Sequence, residues 1–232
     1  MKKLISMFLV FSMFLVALPF SASANVSEIN TPEDYINYLS NSMSMQSNSS
    51  EQDVLEQFKA LSADDQQKFV DYISDPDVAA SIFKAMSTGE KTKLYGGDVE
   101  ITFEKGKAAD DNISLSSTTT YRQSDQAKTT VLGIDIITVE VYIQYRVSGT
   151  NFDNRKITDI LNGGGRVLRN WYPSVTISVD DDSPYIQGNQ AYQTSYFEWN
   201  FVHPKLGFQI GVNTFKIWGN PHGGWGSDFT KS

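Results

Sequence analysis

The 232-residue chain has no cysteine and only two histidines, His203 and His222. Without cysteine there is no disulfide, so stability outside a cell has to come from a packed core, a bound metal or a partner. Two histidines leave little room for nucleophilic or zinc chemistry. No serine stands in a Gly-x-Ser-x-Gly setting, and there is no His-Glu-x-x-His or comparable ligand spacing. His203, beside Pro204, reads as a turn histidine. Basic charge is also scarce: 19 Lys and Arg face 27 Asp and Glu, for a net charge of -8. Such a balance excludes the basic face that nucleic-acid binding requires, and it does not favour adsorption to anionic lipid.

One long apolar run is present, and it lies at the N-terminus. Lys2 and Lys3 precede the apolar stretch from Leu4 to Leu18, and Ala22-Ser23-Ala24 supplies a small-x-small cleavage site. The run falls short of the roughly 20 residues that cross a bilayer. Residues 1–24 therefore read as a secretory signal peptide and Asn25 as the mature N-terminus. Loss of the two lysines takes the net charge from -8 to -10. The expected product is a secreted, extracellular protein of a Gram-positive-type bacterium, not an integral membrane protein.

The remaining sequence divides by period. Residues 25–93 carry twelve acids against five lysines and read as an acidic helical leader or subdomain. Thr31-Pro32-Glu33-Asp34 opens a first helix, with an N-cap, a proline at the first helical position and acids in the first turn. Asn41 to Ser50 reads as a polar linker, and Ser50 as the cap of a second helix. Ser62 with Asp65 starts a third helix and Ser74-Asp75-Pro76-Asp77 repeats the device for a fourth, with apolar stripes Phe69, Val70, Ile73 and then Val78, Ile82, Phe83, Met86. Tyr95-Gly96-Gly97 is the expected hinge. Residues 94–232 alternate as strands, at Val99 to Phe103, Thr129 to Val147 with a bend or bulge at Gly133, Val175 to Val179, Tyr192 to Phe201 and Leu206 to Trp218. Asn154 to Asn162, with Ile157, Ile160 and Leu161 at i, i+3, i+4, predicts a short helix ending in a flexible turn at Gly163-Gly164-Gly165. The expected fold class is α+β, a short helical unit followed by an antiparallel β-sandwich or elongated twisted sheet.

Candidate functional residues are few. Asp180, Asp181 and Asp182 lie where oxygen ligands for Ca2+ are sometimes held, but without the Asp-x-Asp-x-Asp-Gly spacing; read plainly, they are a solvated loop between strands. Glu140 and Glu198 are the strand carboxylates open to glycoside hydrolysis, against a plain reading as solvent-facing strand residues. Ile113 to Thr130, rich in Ser and Thr, resembles the prestem hairpin of β-barrel pore-forming toxins, yet it also fits an edge hairpin. The C-terminal run from Trp218 to Phe229 alternates glycine with aromatics. It suits a tail presenting Trp218, His222, Trp225 and Phe229, together with Trp199, to a membrane or glycan, or else one that tucks back to plug the sandwich. The functional expectation is a secreted, non-enzymatic effector with a binding or membrane-active β domain, antibacterial and toxin- or bacteriocin-like, with no cofactor. Its partner would be a target-cell membrane or a surface glycan. The alternatives are an extracellular carbohydrate-binding or surface-associated module, and a glycan-active enzyme using Glu198 or Glu140.

Overall fold

A computed structural model describes residues 28–43, 49–106, 118–202 and 208–231. The signal-peptide assignment and His203 lie outside these residues.

Four helices form where the capping pattern places them: α1 (Pro32–Met43), α2 (Ser49–Ala60), α3 (Ala63–Ser74) and α4 (Pro76–Met86). Thr31 and Asp34 close a reciprocal capping box, in which Thr31 Oγ1 accepts from the Asp34 amide at 3.2 Å and the Asp34 carboxylate accepts from the Thr31 amide at 3.0 Å. Hydrogen bonding from Thr31 holds the Asp34 carboxyl below its usual range. Ser62 accepts from the Asp65 amide at 3.1 Å, and Asp75 from the Asp77 amide at 2.8 Å, with Pro76 opening α4. The stripes named above from α3 and α4 are buried. Two details differ from expectation. Ser50 lies inside the first turn of α2 instead of capping it, and the linker read between Asn41 and Ser50 is helical at both ends, with 44–48 outside the described residues.

Ten strands build two antiparallel sheets. The first runs in chain order, β1 (Thr92–Leu94), β2 (Val99–Lys105), β3 (Thr118–Val131), β4 (Ile134–Ser148) and β5 (Lys156–Asn170). The second contains β6 (Val175–Asp181), β7 (Tyr185–Gln187), β8 (Gln190–Phe201), β9 (Phe208–Gly219) and β10 (Trp225–Lys231), ordered β10-β9-β8-β6, with β7 also paired to β8. Period-two alternation sets their faces. Ile137, Val139, Val141, Ile143, Tyr145 and Val147 of β4 meet Phe197, Trp199 and Phe201 of β8 and Phe215 and Ile217 of β9 in the interior. The helices close one end of this sandwich and share its core. Phe83 of α4 meets Trp199 edge-on at 6.1 Å, the Tyr35 hydroxyl donates to the Trp171 carbonyl, and the Tyr172 hydroxyl donates to the Tyr72 carbonyl.

The structure corrects the reading of four segments. Thr129 to Val147 is two strands, folded back at Leu132 and Gly133, which both take positive φ (47° and 81°) as a tight hairpin demands. Tyr95-Gly96-Gly97 is a turn between paired strands β1 and β2, so the β region begins at Thr92 and the expected hinge lies within a sheet. Asn154 to Asn162 is not a helix, because all but its first residues belong to the 15-residue β5, paired along its length with β4. Gly163 to Gly165 is therefore strand and not flexible turn. A Cβ there would come within 2.6 Å of Gln193, 2.9 Å of Asp181 and 2.8 Å of Phe197, so glycine lets β5 cross close to the second sheet. Finally, the C-terminal run is a hairpin: β10 pairs with β9 from Trp225↔Gly219 to Lys231↔Asn213.

Candidate binding surface at the turn end of the sandwich

Opposite the helices, the β4–β5, β7–β8 and β9–β10 connections gather at one end. Polar contacts, most of them part-buried, lock them to the sheets. The Arg155 guanidinium donates to the Tyr121 hydroxyl at 2.9 Å and to Thr119 Oγ1 at 3.1 Å. Asn189 bridges two connections, accepting from the Ile157 amide at 2.9 Å and donating to the Arg155 carbonyl at 3.1 Å. Beneath the β9–β10 turn, Tyr145 donates to the Asn220 carbonyl at 2.7 Å and Gln123 to the Gly223 carbonyl at 3.1 Å. Burial pushes the Tyr145 hydroxyl up to about 12. Gly223, at φ 80°, stands where a Cβ would fall 2.7 Å from the Tyr121 ring. The turns are thus a rigid platform, the usual setting for recognition on a β scaffold.

On that platform Phe152 is 72% exposed and lies flat against His222, with ring centroids 3.9 Å apart and planes 12° apart. Beside it, the outer face of the second sheet carries an aromatic row. The register aligns Tyr185, Tyr192, Trp218 and Gly226 across β7, β8, β9 and β10. Tyr185 and Tyr192 stack at 5.1 Å, and the Lys216 ammonium sits 5.0 Å from the Tyr192 ring centre. The Trp218 indole occupies the space above Gly226, where a Cβ would come 2.5 Å from it.

Of the five candidate aromatic and histidine residues, Trp218 and His222 belong to this surface. Trp225 is half-buried and donates from Nε1 to Asp125 at 3.0 Å. Phe229 and Trp199 are core residues. Phe229 packs between Phe215 and Phe103, and Trp199 is fully buried. They fill the sandwich and do not present a ring to a ligand. Phe152, Tyr185, Ile186 and Tyr192 were not read as site residues, although Phe152 sits in a polar turn sequence where an aromatic has no packing role to predict.

The acidic candidates have separate partners. Asp181 accepts from the Gly165 amide at 2.8 Å, Asp182 from the Tyr196 hydroxyl at 2.9 Å, and Asp180 from the Asp181 amide at 3.0 Å. Among the described residues no group of three His, Cys, Asp or Glu is placed to hold a metal ion. Glu140 is 5% exposed and lies on the outer side of the first sheet, where Arg166, Arg122 and Gln126 donate to it. Arg122 and Arg166 also flank the Tyr142 ring at 4.5 and 4.7 Å. Glu198 is on the outer side of the other sheet beside Asn200. Two carboxylates on opposite outer faces cannot flank one glycosidic bond.

The described part of the Ser/Thr-rich segment, Thr118 to Thr130, is paired with β4 along its length and with β2 from Asp125 onward; residues 113–117 lie outside the described part. Its outward residues Thr118, Thr120, Arg122, Ser124, Gln126, Lys128 and Thr130 are polar, and Gln123, Asp125 and Thr129 face inward. The inward side also carries Tyr121 and Ala127, which pack in the core, while the outward side offers no apolar band of the kind lipid contact requires. No described helix is long and apolar enough to cross a membrane. Comparison with protein-family models, with curated proteins and with solved structures finds no match.

Proposed function

We propose that this chain is an exported, non-enzymatic effector that acts by binding, and that its β-sandwich engages a cell-surface polymer through the turn end and the adjoining outer face of the second sheet. The observation that carries the reading is the exposed Phe152–His222 stack on a turn platform held rigid from below. An exposed aromatic fixed by packing loses little entropy on binding, which is why such residues anchor recognition surfaces. The separation of Glu140 from Glu198 supports a non-enzymatic role. The polar outward face of β3 favours surface binding over membrane insertion.

Sedimentation of the full chain with isolated bacterial cell walls and with liposomes tests the reading. Binding to walls is expected, weakened about tenfold or more by Phe152→Ala with His222→Ala. Glu198→Gln and His203→Ala should leave it within a few-fold. Binding to liposomes alone, or no binding to either, would overturn it.

A further inference from the structure

The outer face beside the turn end has a second property, its charge. Three consecutive cross-strand rows define it. The first is Tyr185–Tyr192–Trp218–Gly226, the second Thr194–Lys216–Asp228, and the third Asp180–Tyr196–Thr214–Thr230. Asp182 adds its carboxylate at Tyr196. Aromatic rings therefore adjoin three aspartates, with Lys216 as the single cation of these rows. That lysine already shows what the rings accept, because its ammonium rests over Tyr192 at 5.0 Å.

We propose that this face binds a glycan whose sugars carry free amines, a glucosamine polymer in chemical class, laid across the strands along the aromatic row. The proposal rests on the surface-binding reading above and names its ligand. The row offers two aromatic units along its length, the Tyr185–Tyr192 stack, with ring centres 5.1 Å apart, and the Trp218 indole on the neighbouring strand β9, ~4.8 Å from β8. Gly226 leaves the Trp218 indole room to settle onto the sheet. The ammonium groups of the sugar meet Asp228, Asp180 and Asp182, which match a cationic ligand and repel an anionic one. A cationic peptide fits less well: an extended peptide gains affinity from main-chain hydrogen bonds at a sheet edge, and this is a face.

Titration calorimetry of the full chain at mildly acidic pH tests the proposal, with three probes: a glucosamine oligomer, its N-acetylated counterpart and oligolysine. The glucosamine oligomer should bind most tightly and lose affinity as salt is added. Trp218→Ala should weaken it about tenfold or more, and Asp228→Asn about two- to five-fold. Gly226→Ala, which keeps every aromatic but displaces the indole, should act like Trp218→Ala while thermal stability stays near that of the parent. Equal affinity for the N-acetylated oligomer, stronger binding of oligolysine, or an unaffected Trp218→Ala variant would each overturn the proposal. If cell-wall binding persists but the glucosamine oligomer does not compete for it, the ligand class is wrong and the surface-binding reading stands.

Discussion

The contact between Phe83 and Gly211 reports whether helices and sandwich are one cooperative unit. Phe83 is 3% exposed, and a Cβ on Gly211 would stand 2.5 Å from its Cζ atom. Phe83→Ala removes a buried ring from the boundary between α4 and the second sheet and should cost about 3–5 kcal/mol. Gly211→Ala forces a methyl into that ring and should cost about 1–3 kcal/mol by overpacking. In the double variant the methyl enters the space the ring has left, so the cost added to that of Phe83→Ala falls to the backbone strain of alanine at φ 155°. The coupling, about 1–3 kcal/mol, is measured by urea unfolding of the full chain, following tryptophan fluorescence and far-ultraviolet circular dichroism together. Both probes should give one transition with one midpoint, as expected for a shared core. Additivity of the two costs to within about 0.5 kcal/mol would refute the contact. Helical signal lost at lower urea than the tryptophan signal would refute the single unit and restore the separable leader.

Other outcomes follow from single sites. Because burial raises the folded-state value of Tyr145 above its ordinary value of 10.0 to about 12, its contribution to stability is full below the ordinary value and is lost as pH rises between the two. Tyr145→Phe should therefore flatten the alkaline limb of a stability–pH curve in that window, while costing about 1 kcal/mol at neutral pH from the lost hydrogen bond. Glu140→Ala strands Arg166 and Arg122, but both guanidinium groups reach solvent, so thermal unfolding should show a loss of about 1–2 kcal/mol and not the larger cost of a fully buried pair. Mass spectrometry of protein from culture medium should find Asn25 as the first residue; a chain beginning at Met1 would remove the export assignment.

What could be read from the sequence depended on how local the cause was. The caps at Thr31 and Ser62 and the stripes of α3 and α4 are written within a few residues and form as expected, while α4 is capped by Asp75, one residue after Ser74. The alternation of β4 and β8 is equally local. β5 was missed because bulges opposite Gln144/Tyr145 and Arg146/Val147 break its period of two, so that Ile157, Ile160 and Leu161 imitate helical spacing. Its glycines answer to Gln193, Asp181 and Phe197, distant in sequence. The hairpin at Leu132–Gly133 was hidden because leucine seldom takes positive φ, so the pair lacks the Asn-Gly signature of such turns. The binding surface was half visible. Trp218 and His222 stood out by residue type, but Tyr185 and Tyr192 join them only through strand register and Phe152 only through the meeting of two distant turns.

The placement of the helices gives the molecule a direction. Asn30 is held by α3 through Gln67, and Lys231 ends β10 opposite Asn213, whose amide donates to Ser87 at the end of α4. Both outermost described segments thus emerge toward the helices, away from the Phe152–His222 stack. A molecule docked by its turns would hold both of these segments outward, toward the medium, and anything joined to either would be displayed there without touching the docking surface.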